Sequence, residues 1–195
     1  MSRTFILADF YAEASTKTTA ELATAAARIG DVTAVVLAPA GKGAAMAATV
    51  NVGPVASVIV AESADFATHG VPAMADALAQ LTTAHSPAAV LIASHAMGKE
   101  IAGRLAVATN NGIITDAVDV AADRSCTQIV FGGSTTVHSA VNTPTAIITV
   151  RPNMARACNH LAFSCSSTSS SILILMSNPP PALDLPPYSS PTWEL

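Results

Sequence analysis

Charge is scarce in this chain: only 11% of its 195 residues are Asp, Glu, Lys or Arg. The formal net charge is -4, and no stretch gathers Lys or Arg into a patch. The basic footprint of a nucleic-acid binder or of a protein drawn to anionic lipid is therefore missing, and partners are to be sought among proteins and small molecules. Cysteine is equally sparse. Cys126, Cys158 and Cys165 include no CxxC pair, which argues against a disulfide framework or a zinc site. Long apolar runs are absent too. Ile172-Leu-Ile-Leu-Met176 falls far short of the roughly 20 residues of a spanning helix, so no membrane insertion is expected. Met1 to Phe10 has neither an extended apolar core nor a small-residue cleavage site, so a cytoplasmic location is expected.

Apolar side chains are plentiful, at 51% of the residues, enough for one compact domain with a covered core. The first half alternates two periods. Thr4–Ala8, Val32–Ala38, Ala56–Ala61 and Ala88–Ala93 are short, mostly apolar runs, the second rich in β-branched residues, as expected of strands covered on both faces. Between them lie helix candidates at 18–30, 41–52 and 71–85, and another follows at 99–108. Met74, Leu78 and Leu81 share one face of the third, and Ile101, Leu105 and Ala108 form a stripe on the fourth. Strand and helix in turn predict an α/β fold: a three-layer α/β/α sandwich around a mostly parallel sheet, Rossmann-like, with right-handed crossovers.

From Gly112 the pattern shifts to short strand candidates at Ile113–Ile114, Ala117–Val120, Thr127–Phe131 and Ala146–Val150, with at least one antiparallel pairing expected. The readable pattern stops at Arg151-Pro152-Asn153. Residues 154–195 hold nine serines, six prolines and three charged side chains, and are expected to form an irregular, disordered tail without a core of its own. Its run at 172–176 is an aggregation hazard unless something covers it.

Few motifs point to chemistry. Gly41-Lys-Gly43 begins like a dinucleotide fingerprint, but Met46 stands where the third glycine belongs, so a tight loop is the better reading. Gly132-Gly-Ser134 lacks the closing glycine of a nucleophile elbow. The five histidines lie on separate elements without metal-ligand spacing, and no acid, base and nucleophile set emerges, so no catalytic or metal residue is assigned. Ser94-His-Ala-Met-Gly-Lys99 lies between a strand end and a helix start, where open α/β sheets place ligands. Ser94, His95, Gly98 and Lys99 are the anion-site candidates, against the alternative of a solvated connecting loop. Asp116 and Asp119 are expected to cap turns or to pair with Arg104 or Arg151.

Several segments together carry a family resemblance. His85-Ser-Pro-Ala-Ala-Val-Leu-Ile-Ala-Ser94, Gly98-Lys-Glu-Ile-Ala-Gly-Arg-Leu-Ala106, Gly112-Ile-Ile-Thr-Asp-Ala-Val-Asp-Val120, Thr127-Gln-Ile-Val-Phe-Gly-Gly133 and Ile147-Ile-Thr-Val-Arg-Pro152 resemble, in this order, the first domain of electron transfer flavoprotein alpha subunits. The resemblance covers about residues 1–153. It implies a Rossmann-like domain of the adenine nucleotide alpha hydrolase type that serves as scaffold and pairing surface. In such proteins a heterodimer with a beta subunit carries electrons by FAD from acyl-CoA dehydrogenases of fatty acid β-oxidation to a membrane quinone oxidoreductase.

The family's FAD is held mainly by a second alpha domain, and nothing in residues 154–195 resembles that domain's flavin-binding signature. The resemblance thus implies an electron-carrier subunit rather than an enzyme. It also implies a truncated one, with a frameshift or a true short form as alternatives, and no FAD on this chain alone. Gly98, Lys99, Arg104, Asp116, Gly132 and Arg151 match recurrent family positions and are expected to set loop geometry or interface contacts. A stand-alone nucleotide-binding regulator of the universal stress type is the alternative reading, although no glycine-rich phosphate loop is visible between 112 and 153.

Overall fold

The computed structural model describes residues 2–153 and the backbone of residues 172–176. Its main sheet is built in chain order from β1 (Arg3–Leu7), β4 (Asp31–Ala38), β5 (Val55–Glu62), β6 (Ala89–Ala93), β7 (Ile113–Val120), β8 (Cys126–Val130), β9 (Thr135–Ser139), β10 (Ala146–Val150) and β11 (Ile172–Met176). A separate two-residue ladder joins β2 (Phe10–Tyr11) to β3 (Ala14–Ser15). The helices are α1 (Lys17–Ala26), α2 (Gly43–Thr49), α3 (Asp65–Thr68), α4 (Val71–His85) and α5 (Ala96–Thr109).

Across the sheet the order is β11-β5-β4-β1-β6-β10-β7-β8-β9. Every pairing from β11 to β7 is parallel, and β7, β8 and β9 form an antiparallel meander at one edge. The central strands explain their own sequences. β6 is buried at all five positions and β4 at seven of eight, because helices cover both faces. Ile6, Val36, Leu91 and Ile148 pack on one side with Leu22 and Ala26 of α1 and Met46 of α2. Phe5, Val35, Ile92 and Ile147 pack on the other with Leu78 of α4 and Ile101 and Leu105 of α5. These two apolar layers are the α/β/α sandwich that the alternating periods predict.

Local differences from the sequence reading have physical causes. The buried face of α5 is Ile101, Ala102, Leu105 and Ala106, while Ala108 is exposed, because the helix turns that position away from the sheet. Helix α5 also begins at Ala96 rather than near Lys99, since the His95 side chain caps it by accepting from the Gly98 amide. The two candidates at 113–114 and 117–120 are one strand with a bulge, where Asp116 takes φ +58°. β9, the sequence TTVHS, carries no apolar alternation because it lies exposed at the sheet edge.

Within the segment expected to be irregular, Ile172–Met176 pairs in parallel with Val58–Glu62 as strand β11. The rest of the predicted tail lies outside the described residues. At the end of the continuous part, the amide of Asn153 donates to Glu21 Oε2 at 2.8 Å, so the chain leaves β10 tied to a buried carboxylate on α1. Among the described residues no helix is long and apolar enough to cross a membrane.

Candidate functional site

From β1 the chain moves through α1 to β4 on one side, and from β5 it returns through α4 to β6 on the other. Connections therefore diverge between β1 and β6, and the crevice beyond their carboxyl ends is where open α/β sheets receive ligands. Two clusters and a cavity occupy this end.

The first cluster is a closed hydrogen-bond circuit. Ser94 Oγ donates to Asp116 Oδ1 at 2.6 Å, and the Asp116 amide donates to Thr149 Oγ1 at 3.0 Å. The Thr149 hydroxyl, its oxygen already accepting, donates in turn to Ser94 Oγ at 3.1 Å. Three strands are thereby joined: at the residue after β6, the bulge of β7 and the buried interior of β10. Asp tolerates the left-handed backbone this requires better than most residues. Lys99 Nζ completes the group, 2.8 Å from Asp116 Oδ2. Partial burial alone would raise the Asp116 pKa. The Lys99 and Ser94 hydrogen bonds outweigh it, and the charges of Lys99 and Arg151 add to them, so the carboxyl sits below its ordinary value. Arg151 is also fixed through its amide, which donates to Ala117 O at 2.8 Å.

The second cluster centres on Asp9. Gly98 N–H donates to His95 Nδ1 at 3.0 Å, which places the ring hydrogen of a neutral His95 on Nε2, 3.3 Å from Asp9 Oδ1. Thr16 Oγ1 donates to Asp9 Oδ2 at 2.8 Å, and the Asp9 amide donates to Thr19 Oγ1 at 2.9 Å. Gly98 has a packing reason to be glycine, for a Cβ there would lie 2.0 Å from the Ala93 carbonyl oxygen. The four anion-site candidates are thus brought together, and each directs a donor to an acceptor within the chain.

The glycine loop before α2 follows the same rule. Gly41 N–H and Gly43 N–H donate to Glu62 Oε2 and Oε1 at 3.0 and 2.6 Å, so a carboxylate fills the turn, and Lys42 pairs with Glu13. Other expected positions lie apart. Arg104 pairs with Glu100 along α5 at 3.0 Å, and Asp119 pairs with Arg28 at 2.5 Å, so neither aspartate meets Arg104. Gly132, at φ +65°, forms with Phe131 and Gly133 the turn between β8 and β9. Asp9, Glu62 and Thr149 escape sequence reasoning, because a lone acid or a threonine inside a strand has no spacing signal. Among the described residues no group of three or more His, Cys, Asp or Glu could hold a metal ion.

Beside the Asp9 cluster lies a cavity of about 280 Å³, walled by Leu37, Met46, Met74, Ile92 and Met97, with Asp9 and His95 among its polar lining. A flavin dinucleotide needs free donors for its pyrophosphate and a cleft larger than this. The loop amides are engaged by Glu62, the Ser94 hydroxyl and one N–H of Lys99 by Asp116, and the Gly98 amide by His95. The residues of this crevice do not fit FAD.

A family model described as Electron transfer flavoprotein domain matches residues 4–169, running past Asn153. Electron transfer flavoprotein subunit alpha of Mycobacterium tuberculosis is 37% identical over 157 residues, covering 80% of this chain and 49% of that protein. The subunit alpha of Mycobacterium leprae is 36% identical over 157 residues, with coverage of 80% and 49%. The chain spans about half the length of these curated relatives. With this match running through both clusters and across the sheet, the chain belongs to the electron transfer flavoprotein domain family and is similar to its alpha subunits.

Proposed function

We propose that residues 1–153 are the scaffold and pairing domain of an electron transfer flavoprotein alpha subunit. The observation that carries this is the 37% identity to a protein of that name over 157 residues. Its partner in this reading is a beta subunit, and the assembled heterodimer passes electrons by FAD from acyl-CoA dehydrogenases to a quinone oxidoreductase. Flavin contacts come chiefly from the half of the relatives that this chain does not match. When bound there, FAD supplies the one- and two-electron chemistry.

This chain's own residues act by holding geometry. The Ser94–Asp116–Thr149 circuit ties three strands together, Lys99 neutralises Asp116, and Arg151 and Asn153 set the direction in which the chain leaves β10. Asp116 and Arg151 at this end, with Arg104 on α5 and Gly132 in the β8–β9 turn, are the positions we assign to loop geometry and contacts with neighbouring domains. Anion binding by Ser94, His95, Gly98 and Lys99 would have to displace internal acceptors.

The test is FAD titration followed by flavin fluorescence and visible absorbance. It is run on the chain alone, then with a beta subunit and the unmatched half of a relative's alpha subunit. Uptake only in the complete mixture supports the reading, whereas tight stoichiometric uptake by the chain alone overturns it.

A further inference from the structure

The cavity at the β1–β6 divergence combines soft apolar walls with one acidic end. Met46 comes from α2, Met74 from α4 and Met97 from α5, so three flexible thioethers approach the space from three helices. Thioethers adapt to a ring and make favourable contacts with its edge. At the polar end Asp9 is engaged by two side-chain donors, Thr16 at 2.8 Å and His95 at a long 3.3 Å. A carboxylate offers about four acceptor positions, so Asp9, with its side chain 21% exposed, keeps acceptor capacity beyond these two bonds. The remaining charged groups there are Glu13 and Lys42, which pair with each other. His95 presents a ring N–H already aimed at Asp9, and the Lys42 ammonium is paired with Glu13, so both cationic or donor side chains at the cavity already face a carboxylate.

We propose that this crevice binds a small planar ring bearing a cationic nitrogen group with N–H donors, of the aryl amidine class. The ring lies among Met46, Met74 and Met97, and the nitrogen group donates to Asp9. Negative charge is disfavoured by Asp9, because a carboxylate or phosphate would sit against it without a free cation.

Benzamidine is the probe, added to the full chain with methyl-labelled methionine, and benzoate is its isosteric anionic control. Saturable shifts are expected at Met46, Met74 and Met97, with the other three of the six methionines unmoved. Benzoate should bind at least tenfold more weakly. Asp9→Asn should weaken benzamidine at least tenfold. Met97→Trp, at a side chain 46% exposed and therefore tolerant of size, should block the space. Both variants are checked for an unchanged amide exchange pattern in β6, and if Asp9→Asn disturbs it, Met97→Trp alone decides. No saturable shift, equal binding of benzoate, or undiminished binding by folded variants would overturn the proposal.

Discussion

The hydroxyl of Thr149 accepts the main-chain amide of Asp116 at 3.0 Å, so a fully buried side chain on β10 fixes the bulge of β7. Thr149→Val keeps the shape and removes the acceptor, leaving an amide without a partner. Such losses cost about 1–3 kcal/mol. Urea unfolding should show that loss for the valine variant and a smaller one for Thr149→Ser. Equal stability of valine variant and parent would remove the hydroxyl from the account of the bulge.

Acid should reveal the same corner. The Asp116 carboxyl is held below its ordinary value in the fold, so its contribution is complete above the unfolded value, near pH 4. It is lost as pH falls through the lower folded one. Comparing urea midpoints at pH 5 and pH 3, Asp116→Asn should lose less on acidification than the parent. An equal or steeper loss in the asparagine variant would contradict the shift.

Two glycines of α5 should respond in opposite directions to one methyl group. At Gly98 it would meet the Ala93 carbonyl oxygen at 2.0 Å, whereas at Gly103 nothing lies within 4 Å. Gly98→Ala should destabilise by about 1–3 kcal/mol through overpacking. Gly103→Ala should stabilise by roughly 0.5–1 kcal/mol, because alanine is the better helix former. Thermal midpoints moving the same way would show that the helix does not seat on β6 as described.

Cys126 is buried, and burial first, with the charges of Asp119 and Asp123, pushes its thiol up to about 11. Only the thiolate reacts, and an ordinary cysteine titrates near 8.5. At pH 8 peptide-resolved alkylation should therefore be about a hundredfold slower at Cys126 in the folded chain than in urea. Comparable rates would mean that the site opens readily.

Much of the fold was legible because strands buried on both faces write themselves as unbroken apolar runs, as Val32–Ala38 and Ala89–Ala93 do. β9 was not legible, since an exposed edge strand has no buried face to impose alternation. The Ser94–Lys99 loop could be placed from sequence, but its acceptors could not. Asp9 lies 86 positions from His95, and Thr149 lies 55 from Ser94, so only the closed sheet brings them into range.

The strand pairing of Ile172–Met176 with Val58–Glu62 also bears on how the protein is born. Partners more than a hundred residues apart make β5 wait for its outer neighbour until residues 172–176 have left the ribosome. Throughout that interval β5 is a bare edge able to recruit a strand from another nascent copy. Closing so long a loop is slow compared with the local β–α units that precede it. Dense polysomes should therefore favour intermolecular pairing at β5, and slower initiation of translation should relieve it.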